Sequence, residues 1–159
     1  MLIKPDFIVD RLEDIDFEKL KAMGKTVLMF DLDSTVMPSK AGYYLQETKD
    51  LLDRLQQDFT VMVLSNNSDM KYINKVRTFS NFMVISHAKK PNTKVMLSYL
   101  ESIGKTTDDA VMIGDRPLTD ILCGKLANVT TVLVDSITKD TESKIVRFVR
   151  KLERLFIRK

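Results

Sequence analysis

Two aspartates separated by a single leucine, Asp31 and Asp33, close the apolar part of the run VLMFDLDSTVMPS at residues 27–39. Side chains at positions i and i+2 of a strand point to the same side, and a bend at the strand end lets them separate. Two carboxylates so placed can divide a phosphoryl-transfer reaction. Asp31, nearer the strand body, would attack phosphorus and form an aspartyl-phosphate. Asp33 would protonate the leaving oxygen, then take a proton from the water that hydrolyses the intermediate. Further polar residues follow other short apolar runs: Ser65-Asn66-Asn67, Lys89-Lys90-Pro91, and Gly114-Asp115 with Asp120 five positions later. Asp31, Asp33 and Asp115 crowded into one cleft would repel unless a cation lay among them. Oxygen-only ligands with room for water suit Mg²⁺. Ser65, Asn66 and Lys90 offer donors to an anion, with phosphate the natural candidate. A metal, an anion cradle and a spare carboxylate suit chemistry governed by positioning and charge neutralisation.

Convergence of these residues requires elements that end at one edge. The runs TVLMFDLD (26–33), TVMVLSNN (60–67), FMVISHA (82–88), AVMIGD (110–115) and TTVLVD (130–135) are nearly continuous in apolar character. That is the pattern of parallel strands buried on both faces. Helical periodicity fills the intervals. LQETKDLLDRLQQ sets Leu45, Leu51, Leu52 and Leu55 along one side, and NKVRTF offers Val76 and Phe79. NTKVMLSYLESIG offers Val95, Met96, Tyr99 and Leu100 before Gly104, and LTDILCGKLAN forms a further helix. The alternation predicts βαβ units with right-handed crossovers: a doubly wound three-layer α/β/α sandwich around a five-stranded, mostly parallel sheet. In such a sheet ligands bind at the carboxyl ends of the strands. Residues 1–25 read as a lead-in with FEKLKAMG helical, STVMPSKAGYY as a loop or small flap, and 140–158 as a basic amphipathic helix. With no repeat or linker, the 159 residues read as one domain.

A composition of 44% hydrophobic and 30% charged residues excludes disorder. The net charge of +3 is too small to imply nucleic acid by itself, but the positive excess concentrates in KIVRFVRKLERLFIRK. The lone Cys123 forms no internal disulfide, no apolar run reaches membrane-spanning length, and the N-terminal acids and proline break any signal-peptide core. A cytoplasmic location follows, with a position peripheral to the inner membrane face as its variant. His87 reads as a structural or surface residue because Asp33 already fills the acid/base role.

The motifs resemble those of the haloacid dehalogenase (HAD) superfamily of phosphatases. DLDST resembles its DxDx(T/V) signature, LSNN its hydrophobic-plus-serine element, KP its lysine and GDRPLTD its GDxxxTD element. All four occur in order, each at a predicted strand end. KPDFIVDRLEDIDFEKLKAMG, DLDSTVMPS, HAKKP and RFVRKLER extend the likeness to the YqeG-type, class III (HAD-IIIA) family of small bacterial phosphatases, from about Pro5 to the end. The resemblance implies Asp31 as nucleophile and Asp33 as acid/base, the latter also a metal ligand through its backbone carbonyl. It implies that Ser65 and Lys90 hold phosphate, that Asp115 ligates Mg²⁺, and that Asp120 and Thr35 play supporting parts. Ser34 stands where the family usually has Asn, and the segment after Pro38 also departs, which bears on substrate preference. The intervals after Asp33 and between Asn67 and Lys90 leave no space for a cap domain. An uncapped site implies a bulky phosphorylated substrate, such as a protein, a nucleic-acid end or a lipid headgroup, or closure by a partner chain.

At the C-terminus Ile145, Phe148, Val149, Leu152, Leu155 and Phe156 form an apolar stripe, with Lys144, Arg147, Arg150, Lys151, Arg154 and Arg158 around it. The stripe predicts a helix docked on the sheet with a solvated basic back. A second reading is a surface that meets anionic lipid or nucleic acid. Mitochondrial relatives of the family act on phosphatidylglycerophosphate, which brings a lipid phosphate into consideration. Two rival functions remain. A receiver-type signalling domain would need its phosphorylated aspartate after the third strand, where SHAKKP has none. A low-activity HAD-like protein could keep the site while its basic helix holds RNA or a ribosomal partner.

Overall fold

A computed structural model describes residues 2–137 and 143–158. Its centre is β2 (Val27–Phe30), whose four side chains are all fully buried. Such a strand is covered on both faces, and the sheet shows how. β3 (Thr60–Leu64) and β5 (Ala110–Gly114) flank β2 in parallel, β4 (Met83–Ile85) lies beyond β3, and β6 (Thr130–Leu133) lies beyond β5. A sixth strand, β1 (Phe7–Ile8), pairs in parallel with β6 and completes the order β1-β6-β5-β2-β3-β4. The expected five strands are thus present, and the lead-in contributes one more. Two residues at an edge carry too little periodicity to be read from sequence.

Alternate side chains of the strands feed two cores. Leu28, Phe30, Val61, Val63, Val111 and Ile113 meet α1 (Phe17–Ala22), α2 (Gln46–Leu55) and α3 (Met70–Thr78). Val27, Met29, Met62, Leu64, Ala110 and Met112 meet α4 (Lys94–Ser102) and α5 (Leu122–Ala127) on the other face. This is the three-layer sandwich. α1 and α3 start on Asp16 and Asp69, whose carboxylates accept from backbone amides one turn in. Leu45 only caps α2 and is exposed, so the inward stripe there is Thr48, Leu51, Leu52 and Leu55. Phe79 likewise leaves the core: it follows the last turn of α3, and Ile73 with Val76 fills the interface.

The last helix departs most from expectation. α6 (Lys144–Arg154) is described, while the expected start at 140–142 lies outside the described residues. Its apolar stripe does not lie on the sheet. Ile145, Phe148, Leu152 and Leu155 are exposed, and Arg150, Glu153 and Arg154 turn inward to pair with Asp115, Arg116 and Asp135. Buried carboxylates need cationic partners more than the sheet needs another apolar cover. No helix among the described residues is long and apolar enough to cross a membrane.

Candidate active site

The chain passes from β2 outward to β3 and β4, then returns to β5 and β6 on the other side of β2. Strand order therefore reverses between β2 and β5, and a crevice opens at their carboxyl ends. A cleft of about 270 Å³ lies there, and Asp31, Ser65, Lys90, Asp115 and Asp120 are all among its lining residues. A larger groove of about 600 Å³, between residues 10–14 and 135–137, contains none of these groups.

Lys90 is the hub. Its loop is tied to the end of β3: the Ala88 amide donates to the Ser65 carbonyl, and the Asn66 side chain both accepts from the Lys90 amide and donates to its carbonyl. Lys89 stays exposed while Lys90 is 4% exposed. The Lys90 ammonium donates to Asp31 Oδ1 at 2.8 Å, Asp120 Oδ1 at 2.7 Å and the Leu64 carbonyl at 2.6 Å. An ammonium has three protons, so all are placed. Burial alone would favour the neutral amine, but Asp120 and Asp31 outweigh it and hold Lys90 charged. The Asn66 side chain is committed to clamping the Lys90 backbone.

Asp115 follows β5 and is 1% exposed. Its Oδ1 accepts from Thr35 Oγ1 at 2.7 Å, and Thr35 also reaches Asp31 Oδ2 at 3.4 Å. Thr35 thus bridges the two carboxylates. Asp120 sits in a π-helical turn (Pro117–Ile121), with Oδ2 accepting from the Arg116 amide at 3.1 Å. Gly114 makes room for it, because a Cβ there would fall on the Asp120 carboxylate. One oxygen each of Asp31, Asp115 and Asp120 lies within 4.8 Å of the others. The cost of that crowding is visible in proton affinity. Burial first, then the Asp31 charge, pushes Asp115 up to about 6 and Asp120 up to about 7.

Asp33 leaves this cluster. The chain turns sharply after it, with Ser34 at φ 68°, a left-handed conformation in which Asn is commoner than Ser. Val36 and Met37 then plug the flap into the core. The Asp33 carboxylate faces the flap side of the cleft, where Oδ1 accepts from the Lys40 amide at 2.8 Å and from the Tyr72 hydroxyl at 2.7 Å. His87 is exposed and pairs with Ser86, as expected of a surface residue.

Two contributors escape the motif pattern. Tyr72 comes from α3, whose spacing reads as ordinary amphipathic packing. Arg150 comes from α6, and its guanidinium binds Asp115 Oδ2. Neither position carries a local signal. Both are placed by tertiary packing alone.

A family described as HAD-hydrolase-like matches residues 87–147. Phosphatidylglycerophosphate phosphatase 1, chloroplastic/mitochondrial, of Arabidopsis thaliana is 28% identical over 160 residues, covering 95% of this chain and 46% of that protein. The probable phosphatase YqeG of Bacillus subtilis is 28% identical over 154 residues, covering 94% of this chain and 87% of that one. The chain is thus similar to HAD-type phosphatases along nearly its whole length, and to the HAD-hydrolase-like family over residues 87–147. A HAD-superfamily hydrolase of subfamily IA from Geobacter sulfurreducens shares the fold, with a TM-score of 0.54 at 14% identity over 69% of this chain and 87% of that one. The chain spans less than half the length of the Arabidopsis relative. The residues after β2, β3, β4 and β5 are the four motifs that resemble the HAD signatures, and no cap is inserted between them.

Proposed function

We propose that this HAD-like chain is a Mg²⁺-dependent phosphomonoesterase acting through an aspartyl-phosphate on Asp31. The observation that carries the reading is the Asp31 carboxylate itself, 14% exposed at the cleft, with Lys90 fixed on one oxygen and Thr35 and Asp115 beside the other. The donor set fits Mg²⁺: it is oxygen-only, three carboxylates meet there, and burial first, with the Asp31 charge second, raises the proton affinity of Asp115 and Asp120. Asp31 and Asp115 would hold the ion, with the Asp33 carbonyl as the third protein ligand. When bound, Mg²⁺ would neutralise the carboxylates and the phosphoryl oxygens.

In the first half-reaction an Asp31 oxygen forms a bond to phosphorus as the ester oxygen leaves, taking a proton from Asp33. In the second, Asp33 takes a proton from water, the water oxygen bonds to phosphorus, and Asp31 is released with inorganic phosphate. Lys90 keeps the nucleophile from rotating away and offers positive charge to the phosphoryl group. Tyr72 and the Lys40 amide orient Asp33. Ser65, at the end of β3, would receive a phosphoryl oxygen. The substrate is bulky or presented at a surface, since no cap encloses the cleft. The name of the Arabidopsis relative favours a lipid phosphate monoester of the phosphatidylglycerophosphate type, met on the cytoplasmic side.

The test is hydrolysis of an aryl phosphate with Mg²⁺ present. The wild type turns over, and Asp31→Asn loses at least about 10³-fold in kcat. Full activity in a folded Asp31→Asn protein shows that the nucleophile is elsewhere.

A further inference from the structure

The amphipathicity of α6 is turned outward, and its surroundings say what it meets. Ile145 is 77% exposed, Phe148 62%, Leu152 42% and Leu155 70%, with Val149 and Phe156 exposed beside them. These positions recur at the spacing of one helical face. The opposite face cannot be exchanged for it. Rolling the helix over would break Arg150–Asp115, Arg116–Glu153 and Arg154–Asp135, and would leave Asp115 buried without its arginine. At the far end, Ile3 pairs with Ile157 and fixes the orientation again. A continuous apolar stripe held in water by inward-facing ion pairs marks a contact surface.

The rim of that surface selects the partner. Lys144, Arg147, Lys151 and Arg158 are exposed around the stripe, and the sole acid of residues 144–158, Glu153, is buried. A two-fold contact with a second copy would set this basic rim against itself. An anionic lipid surface satisfies both features at once, taking the apolar stripe at the acyl boundary and the cations on its headgroups. We propose that the outward face of α6 docks on an anionic bilayer. Val146 and Arg150 belong to this helix and also line the cleft, so the docked helix borders the cleft. The proposal deepens the phosphatase reading by naming where its substrate is presented. The docking itself stands on exposure and charge.

The test is flotation of the full chain with vesicles of phosphatidylcholine alone, or of phosphatidylcholine and phosphatidylglycerol in equal parts. The wild type floats with the anionic vesicles only. Phe148→Ser/Leu152→Ser weakens that binding by about tenfold or more, as does Lys144→Glu/Lys151→Glu, and both variants hydrolyse a soluble aryl phosphate at the wild-type rate. Wild-type protein that stays with neither vesicle overturns the proposal, as does binding unchanged in both variants. So does a dimer in vesicle-free buffer that Phe148→Ser/Leu152→Ser dissociates, or preference for RNA over the vesicles. Absence of hydrolysis with flotation intact would remove the phosphatase reading and leave the docking standing. The reverse result would do the opposite.

Discussion

Replacing Lys90 by methionine keeps the length of the side chain and removes its charge, which isolates the electrostatic frame of the cleft. The Lys90 side chain is 1% exposed, and its ammonium sits 2.8 Å from Asp31 and 2.7 Å from Asp120, whose side chain is also 1% exposed. At an effective dielectric near 20, each contact is worth about 6 kcal/mol of gross attraction. Most of that is offset by the cost of stripping water from the three groups. What remains on breaking the set is the penalty of carboxylates buried without a partner, about 3–5 kcal/mol. Against a total stability of about 5–15 kcal/mol, Lys90→Met is close to unfolding. Asp120→Asn keeps the Lys90–Asp31 pair and costs about 1–2 kcal/mol. In the double variant no carboxylate is left buried at position 120, so the cost falls short of the sum by at least about 1.5 kcal/mol. Urea unfolding followed by circular dichroism in metal-free buffer gives all three values. Lys90→Met protein unfolding at the wild-type midpoint would refute the reasoning, and so would strict additivity.

The other expectations concern groups that touch the same cluster. Arg150 and a divalent ion compete for Asp115, so Arg150→Ala tightens Mg²⁺ binding by about tenfold in calorimetry, equivalent to ~1.4 kcal/mol; weaker binding would mean that Arg150 assists the ion. Tyr72→Phe removes the hydroxyl on Asp33, lowering kcat by about tenfold and shifting the pH profile with KM little changed. A change confined to KM would place Tyr72 in substrate binding instead. Asp115 and Asp120, at about 6 and about 7, retain protons in the folded chain that the unfolded chain loses near 3.8. Metal-free stability therefore falls as pH rises from about 4 towards 7, and Asp120→Asn flattens the slope. A wild-type slope of opposite sign across that window would show the two acids to be better paired than their burial implies.

The legible part of the site is the part written at strand ends. Asp31, Ser65 and Asp115 each directly follow a buried apolar run, Lys90 comes five residues after the part-exposed β4, and a parallel sheet delivers all such positions to one edge. Asp120 was legible for a related reason, since its spacing from Gly114 folds one turn back over the glycine. Asn66 sits at the same edge, but residue type could not say that its side chain clamps the Lys90 backbone. Tyr72 and Arg150 reach the cleft from helices whose spacing reports amphipathicity alone. A helix wheel separates two faces without saying which is buried. For α2 and α4 the apolar face wins because the sheet beneath is apolar.

For α6 the substrate of packing is different, and this is what inverts it. The sheet edge beneath it is the cleft, where three carboxylates, Asp31, Asp115 and Asp120, crowd around one lysine. Burying leucines against that edge would further desolvate acids already short of positive charge. Presenting Arg150 instead supplies a second cation to Asp115, and Arg154 does the same for Asp135 one turn later. The imbalance still leaves one negative charge more than the two cations cancel, which is the electrostatic condition for a divalent ion to displace the arginine. A cluster shaped to attract a metal therefore also attracts the polar face of the nearest helix, and turns that helix's apolar face outward.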